Sequence, residues 1–111
     1  MKRIEVFIPA ENLKKVVDAI SKIQVGGITV GKCLGRGTGE RPWIGGTKGQ
    51  QIDFNAIDSV VTVVNDSQVE EMVSAILSVA HTGAKGDGKI FVTNVEEAID
   101  IATKEKGSKA L

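Results

Sequence analysis

The clearest change from a helical to an extended pattern occurs at Thr82-Gly83-Ala84-Lys85-Gly86-Asp87-Gly88-Lys89, which leads directly into the apolar run Ile90-Phe91-Val92. This stretch joins the second predicted helix to the last predicted strand, so it completes a second strand–helix–strand unit. Its small residues let a ligand approach the backbone, while Lys85 and Lys89 supply point charges suited to phosphate. The spacing differs from Gly-x-x-x-x-Gly-Lys-Ser/Thr, and the turn opens a strand where that phosphate loop opens a helix. From the residues alone, an ordinary glycine-rich turn is therefore favoured over an anion-binding turn.

The residues before the turn predict a strand and an amphipathic helix. Val60-Val61-Thr62-Val63-Val64 is a β-branched run typical of a central strand. Ser67-Gln68-Val69-Glu70 has the pattern of a capping box. The helix behind it carries one apolar face, made of Val69, Met72, Val73, Ile76, Val79 and Ala80.

The residues after the turn predict a strand over 89–93 and then a short last helix. Asn94-Val95-Glu96-Glu97 would cap that helix. Its apolar positions are Val95, Ala98, Ile99 and Ala102. The polar tail from Thr103 is predicted to fray.

The first half of the chain repeats the same order of elements. Ile4, Val6 and Ile8 alternate with other residues in the period of a strand that Pro9 ends. A helix of about three turns follows, with Leu13, Val16, Val17, Ile20 and Ile23 on one face. Gly26-Gly27 stops it, and Ile28-Thr29-Val30 begins a second strand.

Two strand–helix–strand halves with right-handed crossovers predict an α+β fold, a ferredoxin-like βαββαβ sandwich. It has a four-stranded antiparallel sheet, two helices on one face, a long loop between strands 2 and 3, and a short C-terminal helix. We expect one domain over residues 1–111. Alternation places Phe7, Val61, Val63 and Phe91 on the sheet face that the helices leave open. An uncovered apolar face predicts a homo-oligomer.

A long loop separates the two halves. Residues 31–49 hold seven of the chain's thirteen glycines and show no periodicity, which predicts a long mobile loop. Trp43, the only tryptophan, stands in Arg41-Pro42-Trp43-Ile44. Arg41, Trp43 and Lys48 have the composition of a partner-binding surface. The alternative, that Trp43 folds back and pins the loop to its own domain, is equally compatible with the residues.

Composition excludes several classes of protein. Lys and Arg together number 14, as do Asp and Glu, so no net field favours nucleic acid or a membrane surface. The single cysteine, Cys33, cannot form an internal disulfide. No apolar run approaches the roughly 20 residues of a membrane span, and no signal-peptide core is present. We expect a cytoplasmic protein.

In the glycine-rich turn quoted above and in the segments on either side of it, the chain resembles the PII signal-transduction family. The run 82–92 resembles the family's nucleotide-binding B loop, a highly specific motif. Gly27-Ile28-Thr29-Val30 and Gly35-Arg36-Gly37 resemble the residues that lead into its T loop, here about 36–54. Val95-Glu96-Glu97-Ala98 and the last five residues extend the similarity through the C-terminal segment, 94–111. The resemblance covers essentially the whole chain except the T loop itself.

The family implies a homotrimer with three clefts between subunits. Each cleft is closed by a T loop, a B loop and a C-terminal segment, and holds ATP or ADP, often with 2-oxoglutarate. Gly86, Asp87, Gly88 and Lys89 match the phosphate-binding positions. Gly35 and Gly37 match the T-loop base, and Thr29 and Val63 match positions near the adenine from the neighbouring subunit. Such proteins control ammonium channels, other membrane transporters or nitrogen enzymes.

Several positions depart from the family pattern. Thr38 and Gly39 stand where Arg-Gln is usual, so the glutamine that helps bind magnesium and 2-oxoglutarate is missing. Ile57 replaces the lysine that pairs with 2-oxoglutarate, and Asp100 and Ala102 replace two arginines that clamp the triphosphate. These departures argue against magnesium and 2-oxoglutarate and favour a less charged ligand, such as ADP, AMP or a cyclic nucleotide, beside ATP. Arg36, Arg41 and Lys48 could supply substitute cations.

The remaining chemistry points to regulation rather than catalysis. The chain has no tyrosine, and residues 31–49 contain no serine, so the covalent modifications of some relatives have no target there. One histidine and one cysteine make no zinc or iron site, and no nucleophile–base pair is visible. We therefore expect no catalytic residues and no metal ligands. A trimeric ferredoxin-like enzyme or metal-handling protein is the alternative from another class, and RNA binding on the open sheet face is a weaker one.

Overall fold

Four strands form one antiparallel sheet in the computed structural model, which describes residues 1–23, 25–38 and 50–111 and the backbone of 43–44. In chain order the elements are β1 (Lys2–Pro9), α1 (Leu13–Ser21), β2 (Thr29–Gly35), β3 (Trp43–Ile44), β4 (Gln50–Gln51), β5 (Asn55–Val64), α2 (Val69–Ala80) and β6 (Lys89–Asn94). The strand order in the sheet is β2-β5-β1-β6. Two crossover helices on one face of such a sheet confirm the predicted ferredoxin-like fold.

The core lies between the sheet and the two helices. Alternate residues of the central strand β1, namely Ile4, Val6 and Ile8, are each at most 1% exposed. They pack against buried residues of α1 and α2, which are Val16, Ile20, Met72, Ile76 and Ala80. The apolar face of the strand, which repeats every two residues, therefore packs against the apolar faces of the helices, which repeat every 3.6 residues.

The opposite sheet face stays open to solvent in the described chain. Phe7 and Phe91 pack edge to face there, with ring centroids 6.1 Å apart, and Phe91 is still 49% exposed. Val61 and Val63 continue the same face and are partly exposed. The predicted composition of this face is confirmed, whereas self-association through it stays a prediction.

The strands β2 and β5 run further than the sequence predicts. Their ladder extends from the pair Thr29–Val61 to the pair Gly35–Asn55. Beyond it, within the T-loop-like segment 36–54, β3 and β4 form a short antiparallel ladder in which Trp43 pairs with Gln51. Arg41 and Lys48 lie outside the described residues, as does the side chain of Trp43.

Two local predictions are wrong. The capping box uses Asn65 and Gln68, not Ser67 and Glu70, because a 3-10 turn over Asp66–Gln68 precedes α2. The Asn65 backbone N–H donates to the Gln68 side-chain oxygen at 3.2 Å.

The predicted last helix is also absent from the described chain. Instead the segment folds back on itself: Ile99 and Lys106 form a bridge, and the Gly107 N–H donates to the Ala98 carbonyl at 2.9 Å. A 3-10 turn, Gly107–Ala110, then brings Leu111 onto Gly26. The tail is therefore docked rather than frayed.

Candidate functional site

The Asp87 carboxylate organises the glycine-rich turn 82–89. One oxygen accepts the Thr82 N–H at 2.7 Å and the Gly83 N–H at 3.0 Å, and the other accepts the Thr82 hydroxyl at 2.5 Å. The hydrogen bond from the Thr82 hydroxyl, followed by those from the two backbone groups, holds the pKa of the Asp87 carboxyl below its usual value. The ionised Asp87 carboxylate is thus the common hydrogen-bond acceptor around which the turn is folded.

Gly88 fixes where the turn meets the sheet. Its φ is +108°, and a Cβ at this position would lie 1.8 Å from the Phe7 carbonyl oxygen. Only a residue without a side chain fits so close to the backbone of β1. The contact places Lys89, the first residue of β6, opposite Phe7 in the ladder.

A cavity of about 330 Å³ opens beside this turn, and we call it the loop-base cavity. It lies at the sheet end where β1 and β2 finish and β5 and β6 begin. Its lining combines the turn with both ends of the long loop: Phe7, Ile8, Pro9, Gly35, Arg36, Gly37, Thr38, Asn55, Ile57, Lys85, Gly86, Gly88, Lys89 and Phe91. The described lining contains three cations and no carboxylate, which suits an anionic ligand. Its size falls within the range of small-molecule sites.

Arg36 spans the two ends of the long loop. Its Nε–H donates to the Asp53 carbonyl at 2.8 Å, and one terminal nitrogen lies 4.0 Å from an Asp53 carboxylate oxygen. The guanidinium carbon lies 4.9 Å from the centre of the Phe54 ring, a cation–π distance. The residue that leaves β2 is thereby tied to the two residues that enter β5.

A second cavity, of about 470 Å³, lies at the opposite end of the sheet. Its lining residues come from the start of β2, the end of β5 and the C-terminal segment, and are Gly26, Gly27, Thr29, Val61, Thr62, Val63, Asp100, Ala110 and Leu111. Thr29 and Gly35 stand six residues apart on one strand, which is roughly 20 Å at about 3.3 Å per residue.

Seven of the eight predicted nucleotide-site residues therefore fall into two groups. Five of them, Gly35, Gly37, Gly86, Gly88 and Lys89, line the loop-base cavity. Thr29 and Val63 line the second cavity. Asp87 lies in the turn but does not line the loop-base cavity.

Two departures from the family pattern stand in these cavities. Ile57 lines the loop-base cavity, so an apolar side chain occupies the place of the usual lysine. Asp100 lines the second cavity, and its carboxylate accepts the N–H groups of Ala102 and Thr103 at 2.8 and 3.0 Å. These bonds, that of Thr103 first, hold the pKa of the Asp100 carboxyl below its usual value. The residue that lines the second cavity at this position therefore carries a negative charge at neutral pH.

Sequence reasoning missed several lining residues. Asn55, Pro9 and Phe7 reach the loop-base cavity only because four strands begin or end together there. Phe54, which contacts Arg36 but does not line the cavity, gave no signal, since an exposed aromatic beside a loop is common. The partner of Arg36 could be found only by bringing residues 36 and 53–54 together through the β2–β5 ladder.

The described residues form neither a metal cluster nor a membrane-spanning helix. In 1–23, 25–38 and 50–111, no three His, Cys, Asp or Glu side chains cluster in a way that could hold a metal ion. Within the same described part, no helix has the length and apolar character needed to cross a membrane.

Comparison with known proteins gives one consistent result. A family model described as nitrogen regulatory protein P-II matches residues 1–105. Proteins of that name are 42% identical in Azospirillum brasilense and 40% identical in Bradyrhizobium diazoefficiens, each over 113 aligned positions. One from Porphyra purpurea is 37% identical over 117 positions. In all three the alignment covers 100% of both chains.

Proposed function

Because the chain belongs to the nitrogen regulatory protein P-II family, we propose that it binds an adenine nucleotide between subunits and controls a partner protein through the loop at 36–54. Members of this family are regulatory signal-transduction proteins that act on partner proteins, not enzymes. One observation carries the nucleotide proposal. The loop-base cavity joins a preformed glycine turn to Arg36, Lys85 and Lys89, with no carboxylate in its described lining.

The division of the site residues supports binding between subunits. Two cavities at opposite ends of one sheet cannot enclose the same small molecule within one subunit. If the second cavity of one subunit faces the loop-base cavity of the next, Thr29 and Val63 complete the site. Repeating that contact around a closed ring gives the proposed homotrimer, with the open sheet faces turned inward. Light scattering after size-exclusion chromatography measures this directly, and a monomer at micromolar concentration would contradict it.

The charge of the two cavities favours a ligand with few phosphates. Ile57 offers no cation to 2-oxoglutarate, and Asp100 repels added negative charge. ADP or AMP, without a 2-oxoglutarate effect, is therefore the specific form of the proposal. A cyclic nucleotide carries one negative charge and fits the same reasoning.

Calorimetric titration with ATP, ADP, AMP and cyclic AMP, each with and without magnesium and 2-oxoglutarate, tests the ligand. We expect ADP or AMP to bind and 2-oxoglutarate to change nothing. Lys89→Gln should weaken binding about tenfold, because a charge-assisted hydrogen bond is lost. Lys15→Gln, an exposed lysine on α1, is the matched control for net charge. Tight ATP binding strengthened by 2-oxoglutarate would refute the charge argument, and no binding to a folded trimer would refute the nucleotide site.

The partner is proposed to be a membrane transporter, such as an ammonium channel, or a metabolic enzyme, with nitrogen metabolism favoured by the family. Arg41, Trp43 and Lys48 are the proposed contacts. Compared with the parent chain at saturating nucleotide, a variant with all three changed to alanine should no longer retain the protein that the parent captures from its own host. Equal capture by both chains would move the contact surface elsewhere.

A further inference from the structure

We infer that Arg36 is a ligand-operated latch, which exchanges the Asp53–Phe54 pair for the phosphate of the bound nucleotide. This inference rests on the proposed nucleotide site and names the group that would couple it to the loop. We define the Arg36 latch as the contacts among Arg36, Asp53 and Phe54.

The first step is that Arg36 can reach two sets of partners. It lines the loop-base cavity with Lys85 and Lys89, and it also contacts Asp53 and Phe54. The Arg36 side chain is 44% exposed, so solvent leaves it room to turn. Among the described lining residues, it is the only cation that touches both ends of the long loop.

The second step is that a phosphate can compete with the present contacts, which are one 2.8 Å hydrogen bond to the Asp53 carbonyl and two weaker contacts. The ion pair is long, at 4.0 Å, and the Asp53 side chain is 82% exposed, so water screens it. Cation–π contacts at exposed sites are also weak. A phosphate, by contrast, accepts two parallel N–H bonds from a guanidinium, which is the stronger arrangement.

The third step is the mechanical consequence. Asp53 and Phe54 lie between β4, which ends at Gln51, and β5, which begins at Asn55. When the guanidinium turns to the phosphate, Asp53 and Phe54 lose their contacts with Arg36, while the Gly35–Asn55 pair keeps β5 beside β2. Ligand occupancy is thereby converted into a change of contacts at the C-terminal stem of the loop.

The latch predicts opposite effects for its two side chains. Arg36→Gln removes a phosphate ligand and should weaken ADP binding about tenfold. Phe54→Leu removes a competitor for the guanidinium and should strengthen ADP binding about two- to fivefold. Lys85→Gln is the matched control, because it removes a cavity cation that takes no part in the latch. It should weaken binding and leave the Arg36 resonances of the free protein unchanged.

The direct measurement is the NMR spectrum of the Arg36 side chain. In the free protein its Nε–H signal should be hydrogen-bonded and shifted by the Phe54 ring current, and Phe54→Leu should abolish that shift. Saturating ADP should abolish it in the parent chain as well. This readout uses the unmodified protein, so it holds even if a variant fails to fold.

The outcomes separate the two proposals. A parent chain that binds none of the nucleotides refutes both the site and the latch. Binding with an unchanged ring-current shift, or with Phe54→Leu no tighter than the parent chain, refutes the latch alone. A shift lost on ADP binding, with affinity changed in opposite directions by the two variants, supports it.

Discussion

Replacing Gly88 with alanine tests whether the nucleotide turn is fixed by a backbone contact. The new Cβ would stand 1.8 Å from the Phe7 carbonyl oxygen, far inside any normal contact, and the neighbouring backbone carbon would lie at 2.9 Å. Since both neighbours are backbone atoms of the central strand, no side chain can rotate away. The turn must shift by more than about 1 Å, which costs about 1–3 kcal/mol as overpacking does elsewhere. The φ of +108° adds about 1–3 kcal/mol for any residue with a side chain.

Two other glycines divide this cost into its parts. Gly86 has a φ of +99° with nothing within 4 Å of the place that a methyl group would occupy, so Gly86→Ala measures the backbone strain alone. Gly37 has neither a positive φ nor a neighbour within 4 Å, so Gly37→Ala should change the free energy of unfolding by less than about 0.5 kcal/mol. We expect Gly88→Ala to be about 2 kcal/mol less stable than Gly86→Ala.

Urea unfolding followed by circular dichroism measures these differences. All chains must be compared at one protomer concentration, because assembly adds a concentration-dependent contribution. The slopes should agree, so that the midpoints report stability alone. If Gly88→Ala proves as stable as Gly86→Ala, the turn does not rest on β1 as described.

Three further predictions concern other contacts. Folding lowers the pKa of the Asp87 carboxyl, so its contribution to stability is present above the unfolded-state pKa of about 4 and is lost as pH falls further. The stability of Asp87→Asn should therefore depend less on pH below about 4 than that of the parent chain. Identical acid-unfolding profiles for the two chains would contradict this. The fully buried Asp58 has its Oδ2 hydrogen-bonded by the Lys32 ammonium at 3.1 Å, while its Oδ1 lies 3.0 Å from the same nitrogen without good hydrogen-bond geometry. Lys32→Met should lower the free energy of unfolding in urea by about 1–3 kcal/mol because it leaves the buried Asp58 charge unpaired; the loss is smaller than for a fully buried pair because Lys32 is exposed. Adding Asp58→Asn should recover most of this loss. If the losses of the two substitutions simply add, the two side chains are not coupled. A Cβ at Gly26 would lie 2.3 Å from the Leu111 carbonyl carbon, so Gly26→Val should detach residues 107–111 and speed their amide exchange, whereas unchanged exchange would show that the tail is held elsewhere.

The fold was predictable because the residues of its core follow apolar patterns that can be recognised within each single strand or helix. Ile4, Val6 and Ile8 alternate strictly, and the stripes of α1 and α2 repeat at helical spacing, so the layers follow without knowing any long-range contact. The strand ends were not predictable in the same way. Gly31 and Asp58 interrupt the apolar pattern of β2 and β5, yet the ladder continues because each residue still has a backbone partner across it.

The failed C-terminal helix has a physical reason. Four apolar residues at helical spacing are too few to offset the cost of nucleating a helix. Asp100 instead accepts the N–H groups of Ala102 and Thr103, which competes with helical hydrogen bonds. The capping box was misplaced for a different reason. Two overlapping windows, 65–68 and 67–70, fit its sequence pattern, and only the position at which the helical turns begin decides between them.

The site was predictable as a set of residues but not as a geometry. Spacing and resemblance pointed to Gly86, Gly88 and Lys89. The close approach of Gly88 to Phe7 depends on β1 and β6 lying side by side, and no window of sequence around either residue contains that information. The same holds for Arg36 and Phe54, which are brought together by the strands between them.

The distance between the two cavities has a genetic consequence. Under the proposed intersubunit site, every subunit gives one half of a pocket to one neighbour and the other half to the next. Two inactive alleles, one altered at Lys89 and one at Thr29, would then complement when expressed together, because one orientation of the mixed interface contains both intact halves. Two alleles altered in the same cavity could never do so. Co-expression of pairs of alleles would therefore show which cavity of one subunit faces which cavity of the next.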